Sequence, residues 1–528
     1  MRDFQLPGRS PARCSTAMAA TSHPIATGTA LKVLAGGGNA VDAAIAAALV
    51  LGLCEPHMTG IGGDMFAIIA EPDGTLHGVN GSGRAGSRAD AAALRAAGNR
   101  TMPQRGGAPV TVPGAIAGFD LMASRFGTMG FDRLLQPAID LAFRGHPVGD
   151  RVAFDWPEHA PMLAGDPGGR QHLLVDGKAP EAGAVMRYPA LGETLKRIAE
   201  GGPSTFYSGA IAEEIVSTVS QAGGFLTLDD LAKAKADLVT PIEADYRGLT
   251  VAELPPNGQG VVALIILKLL ERFDLGALDP CGAQRLHLEI EAARLAYGLR
   301  DRELADPDSM HCRAEALYDA TFIDRLAERI DPARRAADLD LPPLPGSDTI
   351  YLAIADGEGR LVSLIHSIYG SFGSGLVTEK SGIVLQNRGG CFSLEEGHPN
   401  VIQPGKRPMH TIIPAMALKD GVPVMAFGVM GGAYQPCGHA HVISNMVDFG
   451  MDPQAALDAP RAFWDADGRT ALETSLSDAC VWGLETRGHA PVRVSAPLGG
   501  GQMIWRDPET GMLTGGSDPR KDGCAAGF

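Results

Sequence analysis

The stretch "LPPLPGSDTIYLAIADGEGRLVSLIHS", residues 341–367, puts a threonine where chemistry is possible. Residues 341–348 are rich in proline, glycine and small polar side chains and read as a linker. From Ile350 the chain reads as strand, turn, strand. Thr349 stands at the junction. A threonine hydroxyl is a weak nucleophile unless a base sits beside it. A threonine at a chain N-terminus carries its own base, because an α-amine of reference pKa about 7.7–8.0 is partly neutral near pH 7. An internal threonine reaches that state if the preceding bond, here Asp348–Thr349, is cut. A flexible approach, a small polar "GSD" and a rigid strand suit such a cut. The same residues also fit a plain strand start, since β-branched threonine favours extended backbone.

A second cluster, "CGHAH", brings Cys437, His439 and His441 close in sequence. On a helix, positions two apart point away from each other, so only Cys437 and His441 would share a face. Histidines on a helix surface are the expected reading, and no metal is expected. Other signatures are missing: the chain has no GxxxxGK[ST] loop, no GxSxG and no HExxH, and "QPGKRP" lacks the first glycine and the hydroxyl of a phosphate loop. No cofactor is expected.

These residues need elements to position them. "HPIATGTALKVLAGGGNAVDAAIAAALVLGL" predicts a helix stopped by glycines, then a buried helix capped by Asn39. "MFAIIAEPDGTLHGV" predicts a hairpin, as do residues 350–367 and "IIPAMALKDGVPVMAFG" with its Asp-Gly turn. Residues 110–340 read as helical with charged faces, for example "AQRLHLEIEAARLAYGLRDREL", and "GHAHVISNMVDFG" as a helix closed by Gly450. Strands apolar on both faces belong inside a layered sandwich with helices outside. The strands after Asp348 are too apolar to stand alone, so we expect one architecture interrupted by a linker.

Composition sets bounds. The 528 residues are 45% apolar and 20% charged, an ordinary globular balance with length for a large core. A formal charge of −16 argues against nucleic acid or an anionic membrane as partner. The N-terminal "MRDFQLPGRSPARCSTAMAATSHP" lacks the apolar core of a signal peptide, and a cytoplasmic protein is expected. Eight scattered cysteines without a CxxC pair are expected to be free thiols.

Several long motifs occur in an order that resembles the γ-glutamyltranspeptidase family over nearly the whole chain: "GGGNAVDAAIAAAL", "GIGGDMFAIIA", "VPGAIAGFDLMASRFGTM", "DTIYLAIADGEGRLVSLIHSIYGSFGSGL", "PGKRPMHTIIPAM", "FGVMGGAYQP" and "GGSDPR". The resemblance implies an α+β fold, the four-layer αββα sandwich of N-terminal-nucleophile hydrolases. It implies a precursor that cleaves itself between Asp348 and Thr349 into a large chain, residues 1–348, and a small chain, residues 349–528. Thr349 matches the nucleophile. Ser367 matches a second hydroxyl residue, expected to hydrogen-bond the Thr349 amine. Gly431 and Gly432 match the pair whose amides form an oxyanion hole.

The positions that would grip a γ-glutamyl group depart from the family. The arginine position falls at Ser82, or alternatively at Asn80, and the asparagine position is Tyr369. The glutamine and aspartate positions are Arg388 and Cys391, and the serine pair is His410-Thr411. An ammonium needs acceptors, whereas arginine offers only donors and a positive charge. The resemblance therefore implies a small-molecule amide whose acyl group carries a carboxylate and no α-amine, held by Arg388 with Arg84 as a second donor. That pattern is similar to the branch with oxamate amidohydrolase and cephalosporin acylase. A glutathione hydrolase with a rebuilt donor site and an inactive scaffold are the alternatives. A short "FSLEEGHPNVIQPGKRP" segment implies an open pocket.

Overall fold

The computed structural model describes residues 8–337, 349–465 and 467–528, so Asp348 lies outside the described residues. Fourteen strands carry the architecture. In chain order they are β1 (Ala12–Cys14), β2 (Met18–Thr21), β3 (Asp64–Ala70), β4 (Leu76–Gly81), β5 (Asp237–Val239), β6 (Ile242–Tyr246) and β7 (Leu249–Glu253). They continue with β8 (Ile350–Ala355), β9 (Leu361–Ser367), β10 (Ala415–Lys419), β11 (Val422–Met430), β12 (Gly500–Arg506), β13 (Leu513–Ser517) and β14 (Cys524–Gly527). One antiparallel sheet runs β14-β2-β8-β9-β3-β4-β5 and the other β1-β13-β12-β11-β10-β7-β6.

The apolar strands explain the layering. In β8, Tyr351 and Ala353 face the second sheet, where they meet Ile412, Met416, Ala426 and Ile504. The alternate residues Ile350, Leu352 and Ile354 face outward into a helical layer. A period of two with apolar residues on both faces buries a strand on both sides. The outer layer on this sheet is α1 (Pro24–Ala35), α2 (Ala40–Cys54), α3 (Ala115–Phe126) and α4 (Phe131–Arg144). On the other sheet it is α5 (Gly260–Leu270), α6 (Ala283–Glu303) and α7 (Gln435–Val447), packed on Val251, Phe427 and Val429. The order helix, sheet, sheet, helix is the αββα sandwich.

The start of α2 follows from its cap. Asn39 accepts from the amides of Val41 and Asp42, while the Asp42 carboxylate accepts from the Asn39 amide. This reciprocal pair satisfies donors that a helix start leaves bare. The predicted hairpins are present: β3–β4, β8–β9, and β10–β11 turning on Asp420 and Gly421, both left-handed at φ 51° and 77°.

Two expectations need correction. The charged positions of α6 do not form a solvated face: Arg285, Glu291, Arg294 and Arg300 are all buried. Their charges are matched inside, Arg294 with Glu291 at 2.7 Å and Arg285 with Glu289 at 3.4 Å. The region read as helical also holds β5, β6 and β7, which form the ends of both sheets.

The β8–β9 hairpin lies between β2 and β3, so strands from before and after the linker alternate within one sheet. Its register pairs Ile350 with His366. One step further along the same register sets Thr349 opposite Ser367.

Candidate active site

Thr349 precedes β8 and is buried, 1% exposed. Its Oγ1 donates to Ser367 Oγ at 3.2 Å. This contact is hydroxyl to hydroxyl. Ser367 Oγ also accepts from the Tyr369 amide at 2.8 Å and from Arg388 Nη2 at 3.4 Å. Arg388 is fully buried. Its Nη1 donates to Thr411 Oγ1 at 2.7 Å and approaches Cys391 Sγ at 3.8 Å, and its guanidinium lies 4.4 Å from the Tyr369 ring centroid. Its Nε has no hydrogen-bond partner among the described residues. Thr349, Ser367, Arg388 and Thr411 thus form a connected row.

Asp64 supports this row from β3, where it pairs in register with Ser367. Its carboxylate accepts from the amides of Gly83 and Gly114, from Gln386 Nε2, and from His410 Nε2 at 3.1 Å. Burial and the nearby Arg388 charge hold the His410 pKa down at about 3. A neutral ring then donates to Asp64 through Nε2 while Nδ1 accepts from the Ile412 amide.

Gly431 follows β11 at φ 117°, and Gly432 has φ 56°. Left-handed backbone favours glycine at both positions. A Cβ at Gly431 would also meet Gly499 Cα at 3.0 Å. Gln259 Nε2 fixes the turn by donating to the carbonyls of Thr411 and Gly432.

A cavity of about 580 Å³ opens onto Thr349, Tyr369 and Gly431. Part of its wall is polar, with Gln104, Arg105, Asn387, Arg151 and Lys521; part is aromatic, with Tyr434, Phe463 and Trp464. The Phe463 and Trp464 rings stack with centroids 3.9 Å apart.

The predicted residues therefore separate. Thr349, Tyr369 and Gly431 line the cavity; Gly432 follows Gly431 directly. Ser367, Arg388 and Thr411 lie one layer behind, with Cys391 beside Arg388. Arg388 does not line the wall, and its Nη1 and Nη2 are turned to Thr411 and Ser367. Asn80 and Ser82 are off the wall too: Asn80 Oδ1 accepts from Ser82, and its Nδ2 donates to Asn257. Arg84 does not line the wall either: its Nη1 rests on the Gly405 carbonyl and lies 3.6 Å from Asp306. His410 serves Asp64. Sequence reasoning missed Arg105, Lys521 and the aromatic wall. Lys521 alone had a signal, directly following "GGSDPR".

Arg388→Met should cost about 1.5–3 kcal/mol of stability, the range for hydrogen bonds to a charged group, with turnover falling as Ser367 loses its anchor. Urea unfolding of the variant checks it; an unchanged midpoint would remove Arg388 from the row.

The histidines of α7 are buried, which corrects the surface reading. His439 meets Glu253 at 2.7 Å and His441 meets Glu289 at 3.0 Å, separate partners that set the two rings apart. Elsewhere His287, Glu291 and His489 bring ligand-type atoms within 4.8 Å. His287 Nδ1 and His489 Nε2 already bond each other at 2.7 Å, and Glu291 holds Arg294 and the Ala336 amide. Arg294, Arg335 and Arg487 surround His489, a field that repels a cation. All eight cysteines are free thiols. No helix among the described residues is long and apolar enough to cross a membrane.

An αββα sandwich whose central hairpin presents a buried threonine to a cavity defines an N-terminal-nucleophile hydrolase. The Gamma-glutamyltranspeptidase family profile matches residues 26–528, and the chain belongs to that family. It is 36% identical to the glutathione hydrolase-like YwrD proenzyme of Bacillus subtilis, over 97% of this chain and 98% of that one. It is also 36% identical to the oxamate amidohydrolase proenzyme of Klebsiella pneumoniae, over 97% and 98%. The crystal structure of cephalosporin acylase from Bacillus halodurans is similar with a TM-score of 0.93 and 39% identity, over 100% of this chain and 99% of that chain.

Proposed function

We propose that this enzyme matures by cutting itself between Asp348 and Thr349 and then hydrolyses an amide whose acyl group carries a carboxylate and no α-amine. The Thr349 hydroxyl attacks the Asp348 carbonyl, the peptide nitrogen takes up the hydroxyl proton as the C–N bond breaks, and water hydrolyses the resulting ester. In the mature enzyme the freed amine accepts the Thr349 proton while Oγ1 attacks the substrate carbonyl. The amides at Gly431 and Gly432 receive the oxyanion. The proton passes to the leaving amine, an acyl-threonine remains, and water releases the acid.

The observation that carries the specificity is Arg388, a fully buried cation 3.4 Å from Ser367 Oγ with no carboxylate partner among the described residues. Its positive charge opposes an ammonium brought next to Thr349. One observation favours a glutathione-type hydrolase instead: Glu158 lines the cavity and is exposed, an acceptor that an ammonium could use.

The test offers oxamate, a glutaryl amide and a γ-glutamyl anilide to the processed enzyme. Turnover of one of the first two, with the anilide slower by about 100-fold or more in kcat/KM, is expected for a misplaced charge. Strong turnover of the anilide that is lost in Glu158→Gln would establish the second reading and overturn the first.

A further inference from the structure

We infer that Arg105 is the residue that receives the substrate carboxylate, an inference that rests on the specificity proposed above. Three arginine or lysine side chains lie on the cavity wall: Arg105, Arg151 and Lys521. Arg151 is committed to Asp155 at 2.7 Å. Lys521 acts on buried Glu55, whose pKa it lowers against the upward pull of burial, and its Nζ touches Met58 Sδ at 3.2 Å. Arg105 is exposed on the wall and has no acidic partner among the described residues. Its Nη1 donates to the carbonyls of Ser371 and Gly373. That anchors one arm of the guanidinium and leaves Nε and Nη2 for a ligand, in the planar fork that matches a carboxylate.

The anchored arm fixes more than the arginine. Tyr369, Phe372 and Gly373 all have left-handed backbone, at φ 77°, 55° and 54°. Two such non-glycine residues within four positions are costly and persist only where the surroundings hold them. Arg105 supplies part of that hold, and the Gly106 amide adds a bond to the Ser374 carbonyl at 2.9 Å. The loop places Tyr369, Gly370 and Ser371 on the wall. One side chain therefore clasps the loop and also lines the cavity onto which Thr349 opens. Arg388 sets the electrostatic sign from behind the wall, and Arg105 makes the contact.

The experiment compares wild type, Arg105→Met and Arg105→Lys with a glutaryl amide and with the butyryl amide of the same amine. KM for the glutaryl substrate should rise by about 100-fold in Arg105→Met, the size expected for losing a charge-assisted bidentate contact. The butyryl substrate should change far less, and Arg105→Lys should recover part of the preference. If both substrates fall together and the glutaryl-to-butyryl ratio of kcat/KM stays at the wild-type value, Arg105 is a clasp only and the inference is overturned. If Arg105→Met does not fold, the same ratio in Arg105→Lys decides. A wild type that prefers neither oxamate nor the glutaryl amide to an uncharged amide overturns the proposed function itself, and the inference with it.

Discussion

Thr349→Ala should leave a single uncut band near 55.0 kDa and no measurable amide hydrolysis. Loss of a nucleophile costs about 10⁴-fold or more in turnover, and here the same oxygen would also perform the cut, so both activities disappear together. Thr349 is buried at 1% exposure, and alanine occupies less space, so the sandwich persists. Far-ultraviolet circular dichroism separates a missing reaction from a missing fold. Ser367→Ala should be milder, because it removes the partner 3.2 Å from Oγ1 and leaves the nucleophile. A drop of about 10²-fold is expected for a lost positioning hydrogen bond at a reacting group. If Thr349→Ala still splits at the same bond, another group performs the cleavage.

Acidification should destabilise the fold steeply between about pH 6.5 and pH 4. Burial lowers the pKa of His23, His146, His366 and His441 to about 4 and of His410 and His489 to about 3. Above the unfolded value of about 6.5, both states are neutral and nothing is lost. Below it the unfolded chain binds protons that the folded chain refuses, so stability falls until pH reaches the folded values. Each histidine then costs about 1.4 kcal/mol per pH unit. Six acting together over one unit approach the whole stability of an ordinary protein, about 5–15 kcal/mol. Glu55, Glu253, Asp120, Asp166 and Asp458 oppose this, since burial raises their pKa and the folded state then takes protons first. Their unfolded values lie near about 4, so they act only towards the acid end of the window, whereas the histidines act from about 6.5 down. Urea midpoints of the uncut Thr349→Ala chain at pH 7, 6 and 5 report the effect; a constant midpoint would show that the rings reach water.

The hairpins, the α2 cap and the sandwich were legible because each has a local signal: period-two apolar runs, Asp-Gly turns, an asparagine before an apolar helix. The buried charges of α6 and α7 were not. A glutamate or histidine looks alike in sequence whether it meets water or a partner more than a hundred residues away, as His441 meets Glu289. The place of Thr349 directly before a buried strand was legible from the change of texture at Ile350. The cavity wall was not, because Arg105, Thr349, Phe463 and Lys521 meet only when distant loops converge on the sheet ends. Arg388 shows the limit well. Its charge could be read from sequence, but its orientation towards Thr411 depends on tertiary packing.

The interleaving of β8 and β9 between β2 and β3 has a practical consequence for the cut enzyme. Two polypeptides would be present, but they would share both sheets, and neither could leave without unzipping the middle of one. An affinity tag on one should therefore carry the other through purification, and halves produced in separate cells should fail to exchange into working enzyme. Cutting the backbone would change what the protein can do without changing what must be assembled.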